Sequence, residues 1–224
     1  LDYLGDELRD HAPVIKDCDT VWDPRLAGLG TLEFEQIVSL KGPRSASGGS
    51  PTYVPGQPEE NLPLFRRHLN RMGADDEAIE RIMNSPLGVN VGRMSRYSED
   101  WYTILTSLGI CNRHFVNRFY SYALCHKLFS AVTGFQVEED HLRRSAVTIW
   151  NLLKELNWRE GFGPDDDRPP EIWFTPMTGS DGQMLEVRDY FGKTKLSRED
   201  ITQLIQDYYD ERGWTPTGAP PSAL

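Results

Sequence analysis

The feature that most constrains this chain is a series of amphipathic segments, each closed by a glycine. Trp101, Ile104, Leu105 and Leu108 share one helical face and stop at Gly109. Between Val116 and Thr133 the apolar residues Phe119, Tyr120, Ala123, Leu124, Leu128, Phe129 and Val132 form a broad face, closed by Gly134. A longer stretch, Glu138 to Arg159, carries Ala146, Ile149, Trp150, Leu153 and Leu156, and a last one runs from Ser197 to Arg212 before Gly213. Apolar residues at this period bury one side of a helix, and a glycine that accepts the left-handed conformation ends it. The pattern predicts a mainly α, multi-helical fold.

The remaining segments fit that frame. Leu1 to His11 reads as the tail of an earlier element, and residues 14 to 25 as an extended connection in which Pro24 disfavours helix for Asp23. Cys18 in that connection is expected to be a small buried or half-buried side chain. Residues 1–25 are thus assigned to the end of a preceding domain and residues 26–224 to one helical domain. Within it, Thr31 is expected to cap a helix reaching about Lys41, and the Ser, Gly and Pro of residues 44 to 58 predict a loop. Two short helices, Glu59 to Met72 and Asp75 to Asn84, meet at Gly73. Ser98 is expected to open the next helix, with Glu99 and Asp100 in its first turn, where the dipole favours acids. Asp165, Asp166 and Asp167 read as a solvated or capping acidic turn, because calcium loops need a defined spacing of oxygen ligands. Ile172 to Phe174 and Met184 to Val187 predict a small β-hairpin, Ser197 with Asp200 an approximate capping box, and Trp214 to Leu224 a surface tail.

Composition narrows the function classes. With 34 acidic against 24 basic residues the net charge is −10, which argues against nucleic acid as the main partner. No apolar run approaches the roughly 20 residues of a membrane span, and Leu1 to Glu7 lacks the regions of a signal peptide. The three cysteines, Cys18, Cys111 and Cys125, have no C-x-x-C spacing. They build neither a disulfide framework nor a self-contained metal site, which fits a reducing, cytoplasmic setting. Cys125 lies within a helical face and reads as core. No phosphate loop, dinucleotide fingerprint, nucleophile elbow or zinc-protease motif is present. What remains is Thr106-Ser-Leu-Gly-Ile-Cys-Asn112, a turn with a cysteine at its tip. A metal bound there needs ligands from elsewhere.

The C-terminal residues are specific enough to suggest a family. Asn157-Trp-Arg-Glu-Gly-Phe162, the Asp166-Asp167 pair, and Tyr208-Tyr-Asp-Glu-Arg-Gly-Trp214 with Gly218 and Pro220 resemble the closing segment of the tungsten-containing aldehyde ferredoxin oxidoreductases. Trp22-Asp-Pro-Arg25 with Gly28 and Gly30, and Leu108-Gly-Ile-Cys111, are similar to two further motifs of that family. The resemblance implies its C-terminal helical domain, preceded by N-terminal domains of the same enzyme. It also implies a tungsten or molybdenum ion held by two pterins beside a [4Fe-4S] cluster, with electrons passed to ferredoxin or another electron-transfer subunit. Cys111 maps onto the fourth cluster ligand, and Thr106, Gly109 and Ile110 onto the turn that faces a pterin. The expected reaction oxidises a small-molecule aldehyde to a carboxylic acid. Thr106 replaces the motif's aspartate, and Arg44 or Ser45 stands where many members have a histidine near the metal. Two alternatives follow: the tungsten subunit of an aryl-coenzyme A reductase of the benzoyl-coenzyme A type, and a helical interaction domain without cofactor.

Overall fold

The computed structural model describes residues 11–40, 55–56, 58–110, 119–138 and 140–221. Among them are eight helices: α1 Pro24–Ala27, α2 Thr31–Val38, α3 Leu62–Arg71, α4 Asp76–Met83, α5 Val91–Ser107, α6 Tyr122–Thr133, α7 His141–Arg159 and α8 Arg198–Arg212. Two antiparallel hairpins join them, β1 Val14–Ile15 with β2 Cys18–Asp19 and β3 Met177–Thr178 with β4 Met184–Leu185. The fold is the mainly α one that the periodicity predicts, with its small hairpin.

Helix α5 is the spine. The Asn90 side chain accepts the Arg93 N–H at 3.0 Å and so satisfies one of the donors that every helix start leaves open. Val91, Met94, Tyr97, Trp101, Ile104 and Leu105 are all buried, and α2, α4, α7 and α8 pack around them. Ser98 therefore does not open this helix. Its hydroxyl points back to the Met94 carbonyl at 3.4 Å, and Glu99 and Asp100 are buried.

Gly92 explains why the true start was misread, since a glycine near a helix end looks like a stop. A Cβ on Gly92 would stand 2.1 Å from the Leu204 carbonyl oxygen of α8. The residue is there to let two helices cross at backbone distance. Helix α8 starts as predicted, with Ser197 and Asp200 in a reciprocal capping box. It buries Ile201, Leu204, Ile205, Tyr208 and Tyr209.

Other boundaries move for local reasons. Helix α2 stops at Val38 because Ser39 turns extended, and the Lys16 ammonium takes the Ile37 and Ser39 carbonyls at 2.9 and 2.8 Å. Helix α6 starts at Tyr122, where the Ser121 hydroxyl accepts the Leu124 N–H. Ile172 to Phe174 is a 3-10 turn and not a strand. The Arg25 guanidinium donates to the Ile172 and Thr175 carbonyls, both at 2.8 Å, which removes them from any ladder. The hairpin forms further on, with Met177 opposite Leu185. Cys18, expected buried or half-buried, is exposed at the β1–β2 hairpin, whose turn holds Lys16 and Asp17 at φ 51 and 59. Such a turn needs left-handed residues at both centres, and the buried bonds of Lys16 hold it there.

Candidate functional site

The last turn of α5 ends in a Schellman motif. The Gly109 N–H donates to the Thr106 carbonyl at 3.0 Å and the Ile110 N–H to the Leu105 carbonyl at 2.8 Å. Gly109 has φ +74, and among the described residues nothing lies within 4 Å of where its Cβ would be. The glycine here serves the turn's handedness and not a close contact. Ile110 is half-buried against the core, while Thr106 and Gly109 are exposed. The structure thus brings Thr106, Gly109 and Ile110 together in one open turn. Cys111 follows directly in sequence and lies outside the described residues, as does the Lys41 to Ser45 stretch.

Cys125 does not compete for a ligand role. Cys125 is buried, and burial pushes its thiol up to about 11, so it stays protonated. Among the described residues no three His, Cys, Asp or Glu side chains are grouped to hold a metal ion.

Elsewhere in the domain lie two buried ionic clusters that the sequence reading did not foresee. In the first, Arg212 of α8 donates to Asp100 at 2.8 Å and to Glu99 at 2.5 Å, and Tyr208 donates to Glu99 at 2.8 Å. Its guanidinium stacks 4.5 Å from the Trp150 ring of α7, whose indole N–H in turn donates to Thr103 at 2.9 Å. Burial alone would lower the Arg212 pKa, but Tyr208, Asp100 and Glu99 outweigh it and keep the group charged.

In the second cluster, Asp167 receives Lys16 at 2.6 Å, Lys154 at 2.7 Å and the Tyr209 hydroxyl at 2.6 Å. Burial would raise the Asp167 carboxyl; the two ammonium groups reverse that and hold it below the usual carboxylate value. Asp166 behaves as the expected cap, accepting the Gly163 N–H at 2.7 Å. Asp167, buried and ion-paired, is neither solvated nor a cap and corrects the reading of that run as a solvated or capping turn.

These contacts show what the C-terminal signature does. Tyr208, Tyr209 and Arg212 enter the buried clusters. Glu211 accepts from Tyr97 at 2.7 Å, Arg93 at 2.8 Å and Arg81 at 2.9 Å. Trp214 donates its indole N–H to Asn151 at 2.8 Å. The Asp23-Pro24-Arg25 segment is likewise structural, since Asp23 caps α1 and binds the Arg25 guanidinium at 2.6 Å. The motifs that stand out in the sequence hold α5, α7 and α8 in place. In the turn that closes α5, Leu108 and Ile110 pack on the core while Thr106 and Gly109 face outward.

Comparison with known proteins agrees with this architecture. The family model described as "Aldehyde ferredoxin oxidoreductase, domains 2 & 3" matches residues 43–224. No curated protein sequence matches. Among solved structures, a chain of the "Active site complex BamBC of Benzoyl Coenzyme A reductase in complex with 1,5 Dienoyl-CoA" shares the fold, with a TM-score of 0.63 at 19% identity. The match covers 98% of this chain and 33% of that one, so the present chain spans about a third of the relative's length.

Proposed function

Since the chain belongs to the aldehyde ferredoxin oxidoreductase family over residues 43–224, we propose that it is the C-terminal part of a tungsten- or molybdenum-pterin oxidoreductase whose [4Fe-4S] cluster takes Cys111 as one ligand. The observation that carries this reading is the open Schellman turn of α5, which ends one residue before Cys111 and exposes Thr106 and Gly109. With no side chain at Gly109 and nothing among the described residues within 4 Å of its Cβ position, this backbone presents no obstacle of its own to a bulky group. The donor chemistry fits in the same limited way: this chain offers one thiolate, and the other three come from the rest of the enzyme.

When bound, the cluster supplies one-electron transfer between the metal-pterin centre and an external carrier such as ferredoxin. This chain's residues set the conditions for that transfer. The turn amides and carbonyls of Gly109 and Ile110 fix the path by which the chain reaches the thiolate. The carbonyl end of α5 closes this turn one residue before Cys111 in the chain, and a negative field opposes the addition of an electron, so a cluster held next to this helix end would have its reduction potential lowered. Thr106 presents a hydroxyl where an aspartate would add another full charge.

For the overall reaction we favour aldehyde oxidation, in which RCHO and H2O give RCOO⁻, three protons and two electrons, the electrons leaving through the cluster. The second reading, reduction of an aryl-coenzyme A thioester, is favoured by the structural likeness to the benzoyl-coenzyme A reductase complex. Anaerobic assays of the complete enzyme separate them: aldehyde-dependent reduction of a viologen dye supports the first, and dye-dependent reduction of benzoyl-coenzyme A the second. For the cluster, Cys111→Ser in the complete enzyme is expected to lose iron and the cluster's visible absorption while keeping the helical circular dichroism. Unchanged iron content overturns the assignment.

A further inference from the structure

Between the 3-10 turn Glu171–Phe174, the segment that follows β4 and the first turn of α8 lies a cleft of about 240 Å³. The Leu196 N–H donates to the Val187 carbonyl at 2.9 Å, which closes that segment onto the approach to α8. Trp173, Val187 and Leu196 are buried and line the cleft with Phe174 and the exposed Pro176. An apolar lining with a few convergent polar groups is the usual form of a small-molecule site, and drug-sized ligands need at least about 300 Å³. This cleft suits a smaller molecule.

Its polar groups narrow the class. Trp150 and Trp214 place their indole N–H groups on Thr103 and Asn151, whereas the Trp173 indole N–H is buried with no acceptor among the described residues. Trp101 shares that lack within the core, but Trp173 forms a wall of a cleft. A buried donor without an acceptor costs free energy, and in folded proteins such a group is normally completed by a protein atom, a water or a bound molecule. Two cations border the cleft, Lys195 and Arg198. The Arg198 guanidinium lies 4.3 Å over the Phe174 ring, flat against an aromatic wall. Glu186 accepts from Lys195 at 2.6 Å and Glu171 pairs with Arg198, so the two cations face two acids. An ammonium has three N–H donors and a guanidinium five, which leaves donors to spend but no excess positive charge. A singly charged ligand with an apolar body fits that balance. A phosphate, with up to two charges and no apolar body, meets two carboxylates and leaves the lining wet.

We propose that this cleft binds a small monocarboxylate carrying a single aromatic ring. The ring packs on Trp173, Val187 and Leu196, and the carboxylate oxygens supply acceptors for Lys195, Arg198 and the Trp173 indole. The site stands on the cleft and its donors alone and does not depend on the Cys111 reading.

The test is isothermal titration calorimetry of the complete enzyme with phenylacetate, beside 2-phenylethanol, which keeps the ring without the charge, and inorganic phosphate, which keeps charge without the ring. Saturable binding of phenylacetate is expected, with both comparison compounds about tenfold weaker or worse. No saturation at millimolar phenylacetate overturns the proposal. Equal binding of 2-phenylethanol or of phosphate overturns the carboxylate assignment. Two variants locate the site. Arg198→Gln is expected to weaken phenylacetate about tenfold, and Pro176→Trp, which fills the cleft from an exposed position, to abolish its binding. Both are expected to keep the helical circular dichroism. Full affinity in both variants assigns the binding to another part of the enzyme and removes this site. A spectroscopic readout covers the case in which a variant misfolds. In enzyme labelled with 15N-tryptophan, the indole N–H signal missing from Trp173→Phe is expected to shift as phenylacetate is added; a signal that stays fixed at saturation overturns the proposal.

Discussion

Gly92 shows how one absent methyl group shapes the domain. With the Leu204 carbonyl oxygen 2.1 Å from the Cβ position, Gly92→Ala must push α8 off α5. The expected loss is about 3 kcal/mol, read as a lower urea midpoint, since packed backbones relax poorly. Gly109→Ala is a contrasting case. No described residue crowds its Cβ position and the positive φ is the strained feature, so about 1 kcal/mol is expected in the same measurement. Cys111 belongs to this scale too. Its assignment came from the resemblance and from the Gly-Ile-Cys spacing, and the structure contributes the open turn before it. Cys18 was misjudged because free cysteines are usually buried, whereas Lys16 and not Cys18 is the residue the β1–β2 turn anchors inward.

Among the elements, α5, α7 and α8 are joined by the Arg212 and Asp167 clusters. Removing one partner of a buried pair leaves charge without compensation, so Arg212→Met, which strands Glu99 and Asp100, is expected to cost about 4 kcal/mol in denaturant unfolding. The helices from α2 onward were readable from 3.6-residue spacing and glycine stops, whereas α1, Pro24–Ala27, lies where an extended connection was expected. The clusters were not, for a physical reason. Lys16, Lys154 and Asp167 lie far apart in the chain, and each looks like an ordinary surface charge until the fold brings them within 2.7 Å. The same holds for Glu99 and Asp100, which local propensity places in a first turn and tertiary pairing with Arg212 places in the core. The apolar stripe of α6, where Leu128 and Val132 are exposed, was read as a core-facing surface, because amphipathic pattern reports that a face is apolar and not what covers it.

Across the whole molecule, buried acids of opposite tendency give stability an optimum in pH. Burial raises Glu33 to about 7, so its carboxyl is protonated more readily in the folded chain than in the unfolded one. The unfolded state then binds fewer protons between about 4.5 and 7, and stability falls as pH rises through that window. Asp167 is held low by Lys16 and Lys154 against its burial, and Glu211 by Arg81, Tyr97 and Arg93 against its own. Their stabilisation is present above the ordinary carboxylate range and is lost as pH falls below it. Thermal unfolding of the domain across pH is therefore expected to peak at about pH 5, between the two regimes. Glu33→Gln is expected to flatten the decline on the neutral side and leave the acid side unchanged; a decline that persists in the variant removes Glu33 as its cause.

Helix α5 is held against α8 at Gly92 and again at Glu99 and Asp100. Beyond those clamps Trp101, Ile104 and Leu105 stay buried and Thr103 takes the Trp150 indole N–H, so the helix is braced up to the turn it carries. The exposed turn at Gly109 therefore sits on a rigid mount, and its place is set by the core and not by the turn itself.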